Sequence, residues 1–179
     1  MTAPTDFPSL ASLEFLPYLT DNGDISGDLA GKIGLYAIGD REQSVQFIGY
    51  SRDIALSLKQ HLVRCPQECY WVKVYCIDRP SRTLLETIRR AWIAENDSIP
   101  PGNGPAEAQW TQAIDAKLAM TPEDWHAYQK AEERDQIKLL KNAARRLETE
   151  IQQKLQERGV KTEIRFNPKL KEQGLLDLK

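Results

Sequence analysis

Two β-rich runs around one cluster of turn residues restrict this chain more than anything else in it. Gly34 to Ile38 alternates apolar and small residues, Gly39-Asp40-Arg41-Glu42 supplies turn chemistry, and Ser44 to Tyr50 returns as a second β-rich run. That is the pattern of an antiparallel hairpin. A helix start follows at once. Ser51 can accept a hydrogen bond from the amide of Asp53 or Ile54, Asp53 suits the positive end of a helix, and Gly49 is expected to let the backbone turn tightly between strand and helix. Ile54, Leu58, His61 and Leu62 share one helical surface until Cys65-Pro66 ends it. Tyr70 to Ile77, dense in β-branched and aromatic residues, reads as a third strand, central and covered on both faces. Asp78-Arg79-Pro80-Ser81 then opens a helix with a Leu84, Leu85, Ile88, Ala91 and Trp92 stripe.

With 179 residues, 41% apolar and 28% charged, the chain can bury one good core and carry an appendage, which excludes disorder throughout. A net charge of −2 gives no global attraction to nucleic acid and leaves only a local basic face for such a role. The three cysteines, without a secretory apolar segment, point to a reducing compartment, and the cytoplasm is the expected location. No apolar run approaches a membrane span. His61, Cys65 and Cys69 recur every four residues like metal ligands, but Pro66 breaks the helix that would align them and no fourth ligand lies near. Asp21, Asp24 and Asp28 lack the closing Glu of a calcium loop and read as a solvated loop.

The ends of the chain are less patterned. Met1 to Leu10 reads as a loose tail, and Leu13 to Leu19 as an apolar segment packed across the domain. Past Asn103, residues Pro105 to Ala119 show helical spacing, and Thr121-Pro122-Glu123-Asp124 starts a long helix without Gly or Pro from Trp125 to Arg158, stopped by Gly159. Its Ile137, Leu140, Ala144, Leu147 and Ile151 stripe would pack within the chain, pair with Pro105 to Ala119 as a helical hairpin, or form a seam for self-association or a protein partner. Lys138, Lys141, Arg145 and Arg146 either face phosphate or pair with the acidic residues among them. Val160 to Phe166 alternates like an edge strand, and Asn167 to Lys179 is either a docking tail or disordered. The expected division is an N-terminal extension at 1–30, a core domain at 31–104, and a mainly helical extension with a possible edge strand and tail at 105–179.

In order, Gly34-Leu35-Tyr36, Phe47-Ile48-Gly49, Ser51-x-Asp53-Ile54, His61, Leu85-Glu86-Thr87-Ile88 and Pro100-Pro101-Gly102-Asn103 resemble the GIY-YIG endonuclease superfamily. The resemblance spans about Ile33 to Asn103. It implies an α+β fold, a small three-stranded antiparallel sheet flanked by helices, and an active site of Tyr36, His61, Glu86 and Asn103. Glu86 would bind Mg2+ or Mn2+, and Tyr36 would orient or deprotonate the attacking water. Without the resemblance, a carboxylate beside an apolar stripe is ordinary solvated surface. Two departures bear on activity: Phe47 stands where the family has Tyr, and Ser57 where it has its catalytic Arg. Losing one such contact to developing charge costs about 3–4 kcal/mol of barrier. Arg52 and Arg64 are the nearby guanidinium groups. Two functions are therefore expected. One is a weak or degenerate metal-dependent DNA endonuclease, or a chain that keeps only nucleic-acid binding; the other is a non-catalytic protein-interaction or assembly module on the same fold.

Overall fold

The structure, a computed structural model, describes residues 6–179. It divides into two units, the first ending at Thr111 and the second running Gln112–Lys179. The first holds an antiparallel sheet of four strands, β1 (Leu16–Pro17), β2 (Ile33–Gly39), β3 (Val45–Ser51) and β4 (Trp71–Ile77), in the order β1-β4-β2-β3. The α+β class and the expected hairpin are present, Tyr36 pairing with Gly49 and Ile38 with Phe47. Three strands become four because Leu16–Pro17 adds to the outer side of β4. A two-residue strand ending in proline has no periodicity to read, and that proline keeps the new edge short.

The strand covered on both faces is β2: Leu35, Tyr36, Ala37 and Ile38 are all buried, whereas β4 buries only Val72 and Lys73. Alternation sends Leu35 and Ala37 to one side, where they join Ile48 and Leu85, Ile88 and Trp92 of α2 (Arg82–Glu95). Tyr36 meets α1 (Ile54–Arg64) on the other. Ser51 Oγ accepts from the Asp53 amide at 3.0 Å as expected, but the α1 cap is Asp53, whose carboxylate accepts from Leu56 N at 3.1 Å.

The loose N-terminal tail is corrected for its described part; Met1 to Thr5 lie outside the described residues. Glu95 accepts from the amides of Leu10 and Ala11 at 2.7 and 2.8 Å, Trp92 Nε1 donates to the Pro8 carbonyl at 3.0 Å, and Lys73 Nζ to that of Leu10 at 2.9 Å. The segment is held by these backbone bonds and by Leu10, buried in the core beside Ile88 and Trp92, an apolar anchor that shows no periodicity. In the hairpin turn, Asp40 Oδ1 accepts from the amides of Glu42 and Ser44, and Gln43 takes a positive φ of 64°. A left-handed L-residue costs about 1–2 kcal/mol, so Gln43→Gly is expected to stabilise the unit by about 1 kcal/mol in urea unfolding.

The second unit contains α4 (Pro122–Lys130), α5 (Glu133–Glu157), α6 (Pro168–Lys171) and a two-stranded sheet of β5 (Ile114–Asp115) with β6 (Leu175–Leu176). Four expectations are corrected here. The helix expected over Pro105–Ala119 is instead α3 (Glu107–Thr111), which closes the first unit, then β5, then a 3-10 turn at Ala116–Ala119. The single long helix is broken at Ala131–Glu132, where Gln136 Nε2 takes the Tyr128 carbonyl at 3.0 Å and Arg146 pairs with Asp124 across the bend. Val160–Phe166 forms no strand beyond one bridge from Phe166 to Leu178, and Gln152 takes the Ile164 carbonyl. The C-terminal tail is folded, with Leu176 fully buried. The α5 stripe is spent inside its own unit: Leu140, Ala143, Ala144, Ile151 and Leu155 are buried, and only Ile137 stays outside at 37% exposure. The basic residues of α5 favour the ion-pair reading, Lys138 pairing with Asp135 and Lys141 with Glu172. Among the described residues no helix is long and apolar enough to cross a membrane.

Candidate functional site

Tyr36, His61, Glu86 and Asn103 all border one cleft of about 500 Å³ on the first unit, together with Tyr50, Ser57, Gln60, Arg64, Arg89 and Glu107. Each arrives on a different element. The strand β2 brings Tyr36, α1 brings Ser57, His61 and Arg64, α2 brings Glu86 and Arg89, and a 3-10 turn at Pro101–Asn103 brings Asn103.

The floor is aromatic. Tyr36 Oη and His61 Nε2 are hydrogen-bonded at 2.8 Å, Phe47 packs 4.6 Å from the His61 ring, and Trp110 stacks on Phe47 at 5.4 Å with the rings 2° from parallel. Gly49 sits inside β3, and its role is close approach, not the turn into α1: a Cβ there would lie 2.9 Å from Tyr36 Oη. Burial, then the Arg64 charge, lowers His61 to about 3, with the Trp110 carbonyl opposing them. Burial raises the Tyr36 phenol well above its ordinary value, against Ser57 and Arg64. Near neutral pH the pair is an uncharged phenol against an uncharged imidazole. The Trp110 carbonyl, which also accepts from Arg64 Nη1 at 3.1 Å, favours the proton on Nδ1, leaving Nε2 to accept from Tyr36. Nδ1 itself is buried without a well-formed hydrogen bond. Neither group is tuned to exchange a proton near neutrality.

Asn103 braces the sheet edge. Its Oδ1 accepts from Ile48 N and its Nδ2 donates to Ile48 O, both at 2.8 Å, so the side chain copies a neighbouring strand along outer strand β3. Asn103→Ala strands both backbone groups of a fully buried residue and is expected to cost about 1–3 kcal/mol in chemical unfolding.

Glu86 is held by guanidinium groups. Arg89 grips it with two bonds, Nη2 to Oε1 at 2.7 Å and Nε to Oε2 at 3.1 Å, and Arg90 Nε reaches Oε1 at 3.0 Å. Hydrogen bonds from Arg89 and then Arg90 hold the carboxyl down to about 2, against partial desolvation. A carboxylate so engaged is a poor metal ligand, and no group of three His, Cys, Asp or Glu among the described residues could hold a metal. The Mg2+ or Mn2+ expectation is corrected accordingly.

Sequence reasoning missed Arg89 as a cleft residue and Trp110 as the ring stacked behind Phe47. The Glu86, Arg89 and Arg90 spacing of i, i+3 and i+4 was the available signal for the first. Of the two guanidinium groups considered, Arg64 borders this cleft, whereas Arg52 lines a separate pocket of about 290 Å³. Ser57 Oγ donates to Ser51 Oγ at 2.7 Å. The cysteines lie outside the cleft: Cys65 and Cys69 are buried, burial pushes Cys65 up to about 12, and exposed Cys76 is raised by partial desolvation against the pull of Lys32.

No family model matches the chain. It is 34% identical over 99 residues, 53% of its length, to bifunctional monothiol glutaredoxin-S16, chloroplastic, from Arabidopsis thaliana. The match covers 32% of that protein, so the chain spans about a third of its relative's length. The relative's name carries a glutaredoxin and no nuclease. On that finding the GIY-YIG assignment is withdrawn, together with endonuclease activity, nucleic acid as a partner and Mg2+ or Mn2+ as cofactor.

Proposed function

We propose that this chain is a binding module whose cleft receives a small ligand carrying an anionic group, and that it works beside thiol chemistry of the kind its relative is named for without supplying the thiol. The observation that carries the reading is Arg89, a guanidinium fork 31% exposed on the cleft wall, with neutral donors from Tyr50 and Gln60 around the same space. In this reading Tyr36 and His61 shape an uncharged floor, Asn103 fixes the rim, and Glu86 positions Arg89. The function is assigned to the expected 31–104 core, with Trp110 of α3 stacked behind Phe47 to support the floor. Thiol exchange by the chain itself is disfavoured, because the thiolate is the nucleophile and Cys65 is held far from ionisation. A reducing compartment, such as the cytoplasm, and a thiol-bearing protein partner fit this role; the relative's name places that protein in the chloroplast.

Inorganic phosphate is the simplest probe. Titrated into the 15N-labelled protein, it is expected to shift amides around the cleft, and Arg89→Gln to abolish the shifts. A response that is scattered, absent, or indifferent to Arg89→Gln defeats the reading. So does a thiol–disulfide exchange activity that Cys76→Ser removes.

A further inference from the structure

The arrangement of Glu86 between two arginines on one helix suggests how the cleft is kept ready. Arg89 and Glu86 form a two-bonded pair at 2.7 and 3.1 Å, and both side chains border the cleft. Arg90 reaches the same Oε1 at 3.0 Å from outside, its side chain 78% exposed. Glu86 therefore occupies the Nε–Nη2 edge of the Arg89 fork, one of the two-donor edges through which it can grip a ligand, and a second cation stands behind it.

We propose that Glu86 is a built-in occupant of the anion seat: its carboxylate holds the Arg89 fork until the two-oxygen face of a ligand's anion takes it over. This rests on the anion-binding reading of the cleft. The exchange is of like for like, since the fork already matches a planar pair of oxygens. It leaves no bare charge, because Arg90 still neutralises Glu86 after Arg89 has turned away. It opens easily, because a partly exposed ion pair within one helix contributes little. The consequence is selectivity. A weakly accepting anion cannot displace Glu86, while one offering two strong oxygens can, and Arg89 stays ordered in either case.

The test is a double-mutant cycle read as the dissociation constant for inorganic phosphate, from amide shifts at the cleft, in the full chain and in Glu86→Gln, Arg89→Lys and the double variant. Lysine at this position keeps the charge of Arg89 but cannot form the fork. With Arg89 present, Glu86→Gln is expected to tighten phosphate about threefold to fivefold; in the Arg89→Lys background the same change is expected to have under about half that effect. Equal tightening in both backgrounds means only that a negative charge was removed, and overturns the proposal. So does no tightening at all while the unaltered protein binds. If no protein in the cycle responds to phosphate, it is the anion-binding reading that fails, and the seat fails with it.

Discussion

Trp110→Ala is expected to lower the stability of the first unit by about 3–5 kcal/mol, the usual cost of emptying a buried tryptophan site. Trp110 is 2% exposed and stacks on Phe47, and its ring also lies 5.6 Å from that of His61. The turn preceding it fits only because residue 102 is glycine, where a Cβ would come within 2.9 Å of Trp110 Cδ1. The ring cannot be replaced by local collapse, since Phe47 on one side belongs to the sheet and the Pro101–Asn103 turn on the other is fixed to Ile48 by Asn103. Hydrogen exchange at β2 and β3 amides is the suitable readout, because it reports the unit that holds the residue. Trp125→Ala, removing a tryptophan 43% exposed in the second unit, is expected to leave those amides within about 0.5 kcal/mol. A loss below about 1 kcal/mol for Trp110→Ala would mean that the aromatic floor is not the support described.

The hairpin, α1, β4 and α2 were legible because each carries its own signal: alternation, a cap, a β-branched run, an apolar stripe. What escaped is held by groups that periodicity does not record. The segment around Pro8 to Ala11 docks through its backbone on Glu95, Trp92 and Lys73 and through the one buried side chain of Leu10, and β1 is too short to alternate. Gly49 looked like a turn residue because glycine usually is one, yet its need is set by the Phe47 ring and by the Tyr36 hydroxyl on the neighbouring strand. The break between α4 and α5 contains no Gly or Pro; side-chain and ion-pair contacts across the bend, Gln136 to Tyr128 and Arg146 to Asp124, stabilise it. The candidate residues Tyr36, His61, Glu86 and Asn103 do reach one cleft, but their partners were not foreseen. Glu86 was read as an open carboxylate although both arginines that hold it lie within its next turn.

Between pH 6.5 and 4.5 the first unit is expected to lose about 2 kcal/mol of stability through His61 alone. The unfolded chain takes a proton on this residue as pH falls through its ordinary value of 6.5, while the folded chain resists until about 3, chiefly through burial and then the Arg64 charge. Throughout that interval the unfolded state binds more protons, so stability is full above 6.5 and falls as the solution is acidified, approaching about 1.4 kcal/mol per pH unit. Glu86 acts in a lower window, between its ordinary 4.5 and about 2, and His126 is exposed on α4 in the other unit, so the range above 4.5 isolates His61 among these groups. His61→Gln keeps an amide able to bond Tyr36 and has no proton to gain. Measured by urea unfolding at several pH values, it is expected to flatten the slope between 6.5 and 4.5 even if it lowers the plateau. An unchanged slope in His61→Gln would show that the imidazole is not held neutral against the Tyr36 hydroxyl.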